Sequence, residues 1–223
     1  MKFKRIVLSL ILLMSFSISN GQVNHKKINH VLILGNSIVS HPPKPDIGWT
    51  GNWGMAASCI DSDFVHILKR KILLINNHAE VRDENIGAFE LNYSTFNLEE
   101  YKSIREFKPD MIIIKIAENV NDVTPIEKDF QSYYKKLLQY LDPKGKAIKI
   151  IVDGFMPNQN VNKIVQQVAS DEGYDFVTIT PLFDDKTNTA LGKYAHAGVA
   201  AHPSDKGMRL IAERIWSSIQ KYF

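Results

Sequence analysis

The sequence predicts an α/β domain in which helices cover both faces of a mostly parallel sheet, in three layers. Short runs rich in β-branched residues alternate with longer amphipathic segments beyond about residue 28. Several of these runs are apolar at every position, which is typical of strands that are covered on both sides. Because a crossover between parallel strands needs a connection about as long as a helix, this alternation indicates a single α/β/α sheet.

Five runs are predicted to be strands, and they span residues 31–34, 79–82, 111–116, 147–152 and 175–179. Together they would form a five-stranded sheet.

Three segments between or after these strands show helical periodicity. Residues 124–127 form a capping box with proline at the first helical position, and they open an apolar stripe at positions 126, 130, 134, 137 and 141. A second stripe, at positions 208, 211, 215 and 219, follows Ser204 and Asp205, either of which is a suitable N-cap. A third stripe, formed by Met55, Cys59, Phe64 and Leu68, predicts a helix with Cys59 as a small core residue.

Composition narrows the class of protein. The chain has 223 residues, of which 44% are apolar and 23% charged, which excludes a disordered or collagen-like chain. Its single cysteine excludes an internal disulfide. The net charge of +3 comes entirely from the basic residues of segment 1–21, so the remainder is formally neutral and nucleic acid is not an expected partner.

Segment 1–21 has the layout of a secretory signal peptide. A basic start is followed by an apolar run over residues 6–16 and then by small and polar residues. The run is short for a membrane span, which needs about 20 residues, and no second such run follows. We therefore expect a signal over 1–21 and one domain over 22–223, secreted or periplasmic and without a transmembrane span; a retained anchor is the alternative.

Three loops that are expected at the carboxyl ends of strands carry residues suited to acyl transfer. Ser37 follows the first strand on a glycine turn and could act as a nucleophile, although serine also favours turns and caps. Asn119 follows the third strand and could donate to an oxyanion, or could instead satisfy loop backbone. His202 precedes the last helix and could act as a general base.

Four segments resemble the conserved sequence blocks of the SGNH, or GDSL-like, hydrolases, and they occur in the same order along the chain. The segments are 35–37, 52–57, 117–119 and 202–203, so the resemblance spans about residues 30–220. That family includes lipases, thioesterases and carbohydrate acetylesterases. The resemblance implies a flavodoxin-like fold and an acyl-transfer step that needs no metal or other cofactor.

The resemblance also implies a role for particular residues. Ser37 would be the nucleophile and His202 the base. Asn119 and the backbone N–H of Ser37 would donate to the oxyanion, together with a backbone N–H from the second block, at Gly54 or at Ala57.

Two positions depart from the family pattern. Asn36 stands where the family has aspartate, and Val199 stands where it has the acid that orients the histidine. A backbone carbonyl of residues 198–201 could orient His202 instead. Otherwise one of three carboxylates could do so, or catalysis could be weak or absent; the carboxylates are Glu118, Asp153 and Asp205.

Further residues are candidates for the pocket wall. Trp49 and Trp53 could form a platform for a sugar ring or acyl chain, or could pack in the core. Asn36 and Glu118 lie next to the proposed site residues in the sequence, and His41 follows Ser37 closely. His41 could line the pocket or could instead belong to a surface loop. The remaining histidines show no zinc-site spacing, and Gly35 does not open a nucleotide-binding loop.

Taken together, these patterns predict an exported serine esterase that hydrolyses a small-molecule or carbohydrate ester through an acyl-enzyme, and that could remove acetyl groups from a carbohydrate. The alternative is a module on the same fold that binds a glycan or an acyl group without hydrolysis, which the valine at position 199 favours. No feature of the sequence favours a purely structural role.

Overall fold

A computed structural model describes residues 27–121, 123 and 129–223. The predicted signal segment and the predicted capping box at 124–127 lie outside the described residues.

A five-stranded sheet in the order β2-β1-β3-β4-β5 forms the centre of the domain. All of its pairings are parallel, which confirms the predicted class of sheet. Each predicted strand is present to within a few residues at its ends. The strands are β1 His30–Gly35, β2 Glu80–Asn85, β3 Met111–Lys115, β4 Ile148–Val152 and β5 Asp175–Val177.

Helices connect the strands and cover both faces of the sheet. They are α1 Phe64–Ile75, α2 Gly87–Asn92, α3 Lys102–Glu106, α4 Phe130–Leu141, α5 Gln159–Glu172, α6 Ala197–Ala200 and α7 Asp205–Ile219. Short 3₁₀ turns lie between them at Pro45–Ile47, Ile60–Ser62, Leu98–Tyr101, Thr180–Phe183, Lys186–Asn188 and Gln220–Tyr222. Within the described ranges, no helix has both the length and the apolar character that crossing a bilayer requires.

The core lies on the two faces of the sheet and follows the alternation of the strands. Val31 and Ile33 of β1 point to the layer formed by α1 and α7. Leu32 and Leu34 point to the opposite layer, where they meet α4 and α5. Because side chains alternate along a strand and both faces are covered, every interior position of β1 must be apolar.

The predicted helix around Met55 and Cys59 is wrong in its first half. Residues up to Ser62 form loops and a 3₁₀ turn, and α1 begins only after Asp63, whose carboxylate accepts from the N–H of His66 as an N-cap. The prediction of Cys59 as a core residue is also wrong, because its side chain is exposed. The four-residue spacing of Met55 and Cys59 continues the α1 stripe only by coincidence.

The start of α7 is fixed by Ser204, one of the two predicted caps, whose hydroxyl accepts from the Gly207 N–H at 3.4 Å. Gly207 lies so close to the preceding loop that a Cβ there would be 2.1 Å from the carbonyl oxygen of Asn188. Only glycine permits this approach, which seats the helix directly behind the His202 loop.

We predict that Gly207→Ala destabilises the protein by about 2 kcal/mol or more, because the added methyl group meets backbone that has to move. The clash outweighs the better helix propensity of alanine, which is worth about 1 kcal/mol. Urea unfolding measures the effect, and Ser217→Ala on the exposed side of the same helix is the control, with a change within about 0.5 kcal/mol. Equal stability of the two variants would contradict the close approach.

Candidate active site

The predicted site residues lie where ligands bind in open parallel sheets. Strand β1 is flanked by β2 on one side and by β3 on the other. The connection that leaves β1 therefore runs towards one edge of the sheet, and the connection that follows β2 returns past β1 towards the other edge. The loops that leave the carboxyl ends of β1 and β3 diverge at such a point and leave a crevice between them. Ser37 lies in the first of these loops and Asn119 in the second.

Ser37 and His202 are in direct contact although 165 residues separate them in the sequence. The Ser37 hydroxyl oxygen lies 2.7 Å from Nε2 of His202. The His202 imidazole is carried by the turn between α6 and α7, where its own backbone N–H donates to the Val199 carbonyl. This contact brings a hydroxyl group and an imidazole within proton-transfer distance.

The other imidazole nitrogen of His202 contacts backbone. Nδ1 lies 2.7 Å from the carbonyl oxygen of Gly198. A carbonyl can only accept a hydrogen bond, so Nδ1 carries the proton and Nε2 is left to accept from the Ser37 hydroxyl. The group that contacts the orienting nitrogen of His202 is therefore a backbone carbonyl and not one of the three candidate carboxylates.

The three candidate carboxylates are engaged elsewhere. Asp153 accepts from the backbone N–H groups of Ile179 and Thr180. Asp205 accepts from the backbone and hydroxyl of Ser58. Glu118 pairs with Lys115. Val199, at the position of the family's acid, is fully buried and packs in a small apolar cluster.

Burial lowers the pKa of His202 to about 4, and this effect outweighs the bond to Gly198, which acts in the opposite direction. A buried imidazolium would lose its hydration, whereas the neutral ring loses much less. His202 is therefore in its basic form throughout the neutral and mildly acidic range.

Asn119 is exposed and lines the same cavity as Ser37 and His202. One N–H of its side-chain amide donates to Oε2 of Glu90 at 2.7 Å. An amide nitrogen has two N–H groups, so the second remains available to a ligand.

The two predicted backbone donors of the second block are both occupied. The Gly54 N–H donates to Oδ2 of Asp63 at 3.1 Å. The Ala57 N–H donates to the Gly54 carbonyl at 3.2 Å. Both N–H groups of the predicted pair therefore have acceptors within the protein, and neither is free to donate to an oxyanion in this arrangement.

Ala56, between them, was not predicted and has an unusual backbone. Its φ of 73° lies in the left-handed region, which alanine normally avoids. The preceding N–H, of Met55, donates to the Ser37 carbonyl at 2.8 Å, so this turn lies directly against the nucleophile loop. Among the described residues, the Ala56 N–H has no acceptor. Nothing in an alanine signals such a conformation, which is why the sequence did not point to it.

A cavity of about 470 Å³ opens beside the Ser37 hydroxyl. Its wall is partly apolar, with Ile47, Met55, Leu91 and Val199, and partly polar, with Lys44, Asn85 and His196. His41 also lines the cavity.

Four predicted pocket residues do not line this cavity. Trp49 is 2% exposed and packs edge-on against Trp53, which is partly exposed but does not line the cavity. Their ring N–H groups donate to backbone carbonyls, which fixes the loop instead. Asn36 is fully buried beneath the nucleophile turn, where its Oδ1 accepts from the Ile38 N–H at 3.2 Å. The side chain of Glu118 is buried as well.

A buried polar cluster that the sequence did not reveal lies beneath the two loops. Asn36 donates through Nδ2 to Glu118 at 2.6 Å and to Glu90 at 3.2 Å. Lys115, fully buried at the end of β3, donates to Glu118, which also accepts from the Phe155 N–H at 2.7 Å. No feature of the sequence distinguishes Glu90, because α2 is only six residues long and too short to show a clear apolar stripe.

The two carboxylates of this cluster differ in their pKa values. Burial, reinforced by the negative charge of Glu118, raises the pKa of Glu90 to about 7. Burial acts in the same direction on Glu118, but the charge and hydrogen bond of Lys115 outweigh it and lower the Glu118 pKa. Within the described part of the chain, no three His, Cys, Asp or Glu side chains are arranged to hold a metal ion.

Comparison with solved structures shows that this fold is shared with esterases. An acetyl xylan esterase from Geobacillus stearothermophilus aligns with 86% of this chain and 94% of its own, with a TM-score of 0.53 and 17% identity. A lipase/acylhydrolase from Enterococcus faecalis aligns with 87% of this chain and 96% of its own, with a TM-score of 0.56 and 16% identity.

A two-domain esterase active on acetylated mannans aligns with 87% of this chain and 49% of its own, with a TM-score of 0.56 and 17% identity. These likenesses confirm the three-layer fold implied by the resemblance to the SGNH hydrolases. At such low identity they are evidence for the fold alone. No model of a protein family matches the chain, and no curated protein matches it.

We predict that Ala56→Gly leaves the protein more stable than Ala57→Gly by about 1–2 kcal/mol, the cost of a left-handed residue that carries a Cβ. Both alanines are buried, so loss of the methyl group affects the two variants similarly. Ala57 has no such backbone strain and serves as the matched control. Urea unfolding compares them, and an equal loss in both variants would contradict the strained turn.

We also predict a stability effect of His202 on acidification. Because its pKa is about 4 in the folded protein and about 6.5 in the unfolded chain, the unfolded state binds more protons between these values, and stability falls as the pH falls. Between pH 7 and pH 5 the wild type should lose about 2 kcal/mol more unfolding free energy than His202→Gln. Urea unfolding at the two pH values tests this, and equal losses would contradict a buried, neutral His202.

Proposed function

We propose that the protein is a serine esterase that hydrolyses a carboxylic ester through an acyl-enzyme on Ser37. The observation that carries the proposal is the 2.7 Å contact between the Ser37 hydroxyl and His202 Nε2, with Nδ1 held by the Gly198 carbonyl. A serine hydroxyl is a weak nucleophile unless a base accepts its proton, and this arrangement supplies the base in the required tautomer.

Acylation follows from this geometry. Ser37 Oγ attacks the ester carbonyl carbon while its proton passes to Nε2, and the carbonyl oxygen becomes an oxyanion. The resulting imidazolium returns the proton to the departing alcohol oxygen as the carbon–oxygen bond breaks. Water then repeats the sequence on the acyl-enzyme, with His202 again as the base, and releases the acid and free Ser37.

The Gly198 carbonyl keeps His202 oriented but supplies only a dipole. A carboxylate in this place would stabilise the transient imidazolium by full charge, whereas a carbonyl does so more weakly. The tautomer is nevertheless correct, and an incorrect tautomer is the main penalty when the acid of such a triad is replaced.

Three N–H groups are proposed to stabilise the oxyanion. The second amide N–H of Asn119 is available at the cavity. The backbone N–H of Ser37 has no acceptor among the described residues. The backbone N–H of Ala56 is likewise without one there. Ala56 is 2% exposed and follows Met55, which lines the cavity, and we propose its N–H for the role that the resemblance gave to the second block. Each donor aimed at an oxyanion typically contributes about 10²- to 10³-fold in rate.

The proposed substrate is a short acyl ester of a carbohydrate, such as an acetyl group on a glycan. The cavity of about 470 Å³ is open and carries polar donors at its rim, including Lys44, Asn85 and His196. Structures of the same fold include an acetyl xylan esterase and an esterase active on acetylated mannans. Segment 1–21, with its signal layout, supports action outside the cytoplasm.

A non-catalytic binding module is the second candidate. It is favoured by one observation, the absence of a carboxylate on His202 among the described residues, where buried Val199 stands instead. In that case the cavity would bind the same acylated glycan, and Ser37 would not react.

We predict that Ser37→Ala lowers the rate of p-nitrophenyl acetate hydrolysis by about 10³-fold or more, because no other group replaces the nucleophile. Ser40→Ala, three residues further on, is the control and keeps wild-type activity. A fluorophosphonate probe should label the wild type and the control at Ser37, as mass spectrometry of peptides would show. Absence of both turnover and labelling in the folded wild type would favour the binding module, and full activity of Ser37→Ala would refute the esterase assignment.

A further inference from the structure

We propose that Glu90 is a positioning residue for Asn119: its carboxylate holds one N–H of the Asn119 amide and thereby directs the other into the cavity, towards the oxyanion. This inference rests on the proposed esterase function. Glu90 itself does not line the cavity and is 1% exposed, so it acts through Asn119 and not on the substrate.

The contacts of Glu90 place it between the two loops of the site. Its Oε2 accepts from Asn119 Nδ2 at 2.7 Å, and its Oε1 accepts from Asn36 Nδ2 at 3.2 Å. Asn119 belongs to the loop after β3, and Asn36 is adjacent to Ser37 in the loop after β1. One carboxylate on α2 therefore fixes the oxyanion amide relative to the nucleophile turn.

An ionised carboxylate makes both contacts best, because it is an acceptor at both oxygens and carries no competing O–H group. Both partners are N–H donors, so both oxygens must accept. The orientation of the Asn36 amide is fixed independently, because its Oδ1 accepts from the Ile38 N–H. A glutamine would direct an NH₂ group at one of the two amides, so one amide would have to turn away. A protonated Glu90 would hold the two amides more weakly, because a hydrogen bond to an ionised acceptor is stronger than one to a neutral group.

Burying an ionised carboxylate is unfavourable unless hydrogen bonds or an opposite charge stabilise it, so the burial of Glu90 indicates a specific role. Lys115 provides the only buried positive charge in this cluster of described residues, and its hydrogen bond goes to Glu118, not to Glu90. The charge of Lys115 and the two amide hydrogen bonds together favour the ionised form of Glu90 against burial, but the two amides are its only hydrogen-bond donors among the described residues. An apolar residue on α2 would serve packing better, whereas the amides of Asn36 and Asn119 need an acceptor.

The surroundings of Glu90 make its ionisation sensitive to pH near neutrality. Burial and the charge of Glu118 raise its pKa to about 7, against the opposing charge of Lys115. Two buried tyrosines also lie near Glu90: Tyr101, at the end of a 3₁₀ turn, and Tyr134, on α4. Burial raises the pKa of both side chains, that of Tyr101 to about 12, so both are neutral. Activity should therefore fall as the pH falls through about 7, while His202, with a pKa of about 4, titrates well below.

A double-mutant cycle with p-nitrophenyl acetate at about pH 8 tests whether Glu90 acts through Asn119. Asn119→Ala should lower kcat/KM by about 10²- to 10³-fold, as loss of an oxyanion donor does. Glu90→Gln should lower it by about 10- to 100-fold, mainly in kcat. The double variant should be no worse than Asn119→Ala alone. Effects that multiply would overturn the proposal.

The pH profile of kcat/KM provides the second readout and does not depend on the folding of Glu90→Gln. In the wild type, kcat/KM should decrease as the pH falls through about 7, and this decrease should be absent from Asn119→Ala and from Glu90→Gln. The separate decrease at lower pH, caused by protonation of His202, should remain in all three proteins. Asp142→Asn is the control, since it alters another buried carboxylate, paired with Lys149 away from the cavity, and should keep the wild-type profile. A decrease in kcat/KM near pH 7 that persists in Asn119→Ala would overturn the proposal.

Ser37→Ala in the same assay separates the two levels of inference. If it is inactive while Glu90→Gln and Asn119→Ala act independently, the esterase function stands and the positioning role of Glu90 fails. If Ser37→Ala retains full activity, the proposed function fails and the role of Glu90 fails with it.

Discussion

The hydrogen bond between Nδ1 of His202 and the carbonyl of Gly198 is the interaction on which the proposed chemistry depends. It places the proton on Nδ1, and so makes Nε2 an acceptor for the Ser37 hydroxyl. Burial has the complementary effect, because it lowers the pKa of His202 and keeps the ring neutral. The close approach of Gly207 to Asn188 and the N-cap at Ser204 secure the turn that carries the imidazole.

Beneath the site, a second constraint acts through buried charge. Asn36, at the position where the SGNH pattern has aspartate, donates to both Glu90 and Glu118, which an aspartate could not do. The exchange of an acceptor for a donor thus fits the two carboxylates below it. Lys115 compensates one of those carboxylates, and the side-chain amides of Asn36 and Asn119 stabilise the other. The buried polar cluster and the rim of the candidate active site are therefore connected through the same few side chains.

The sequence was informative where periodicity and strand ends determine position. All five strands and the apolar stripes of α4 and α7 follow from hydrophobic periodicity. Loop placement made Ser37 and His202 candidates, and the resemblance to the SGNH hydrolases implied that they pair, in agreement with their 2.7 Å contact. The sequence was uninformative where tertiary contacts decide. Cys59 continues a helical spacing but lies in a loop, Trp49 is buried because the loop folds over it, and Ala56 adopts a left-handed φ that its residue type does not suggest. No sequence pattern marks Glu90, because its hydrogen-bond partners Asn36 and Asn119 lie in loops that are distant from it in the sequence.

The most direct measurement of this account is the tautomer of His202, observed by long-range ¹H–¹⁵N NMR correlation of the imidazole at about pH 6, where a free histidine is largely protonated. The account predicts a neutral ring with the proton on Nδ1 and an unprotonated Nε2. An imidazolium, or a neutral ring with the proton on Nε2, would contradict it, since neither could accept the proton of Ser37.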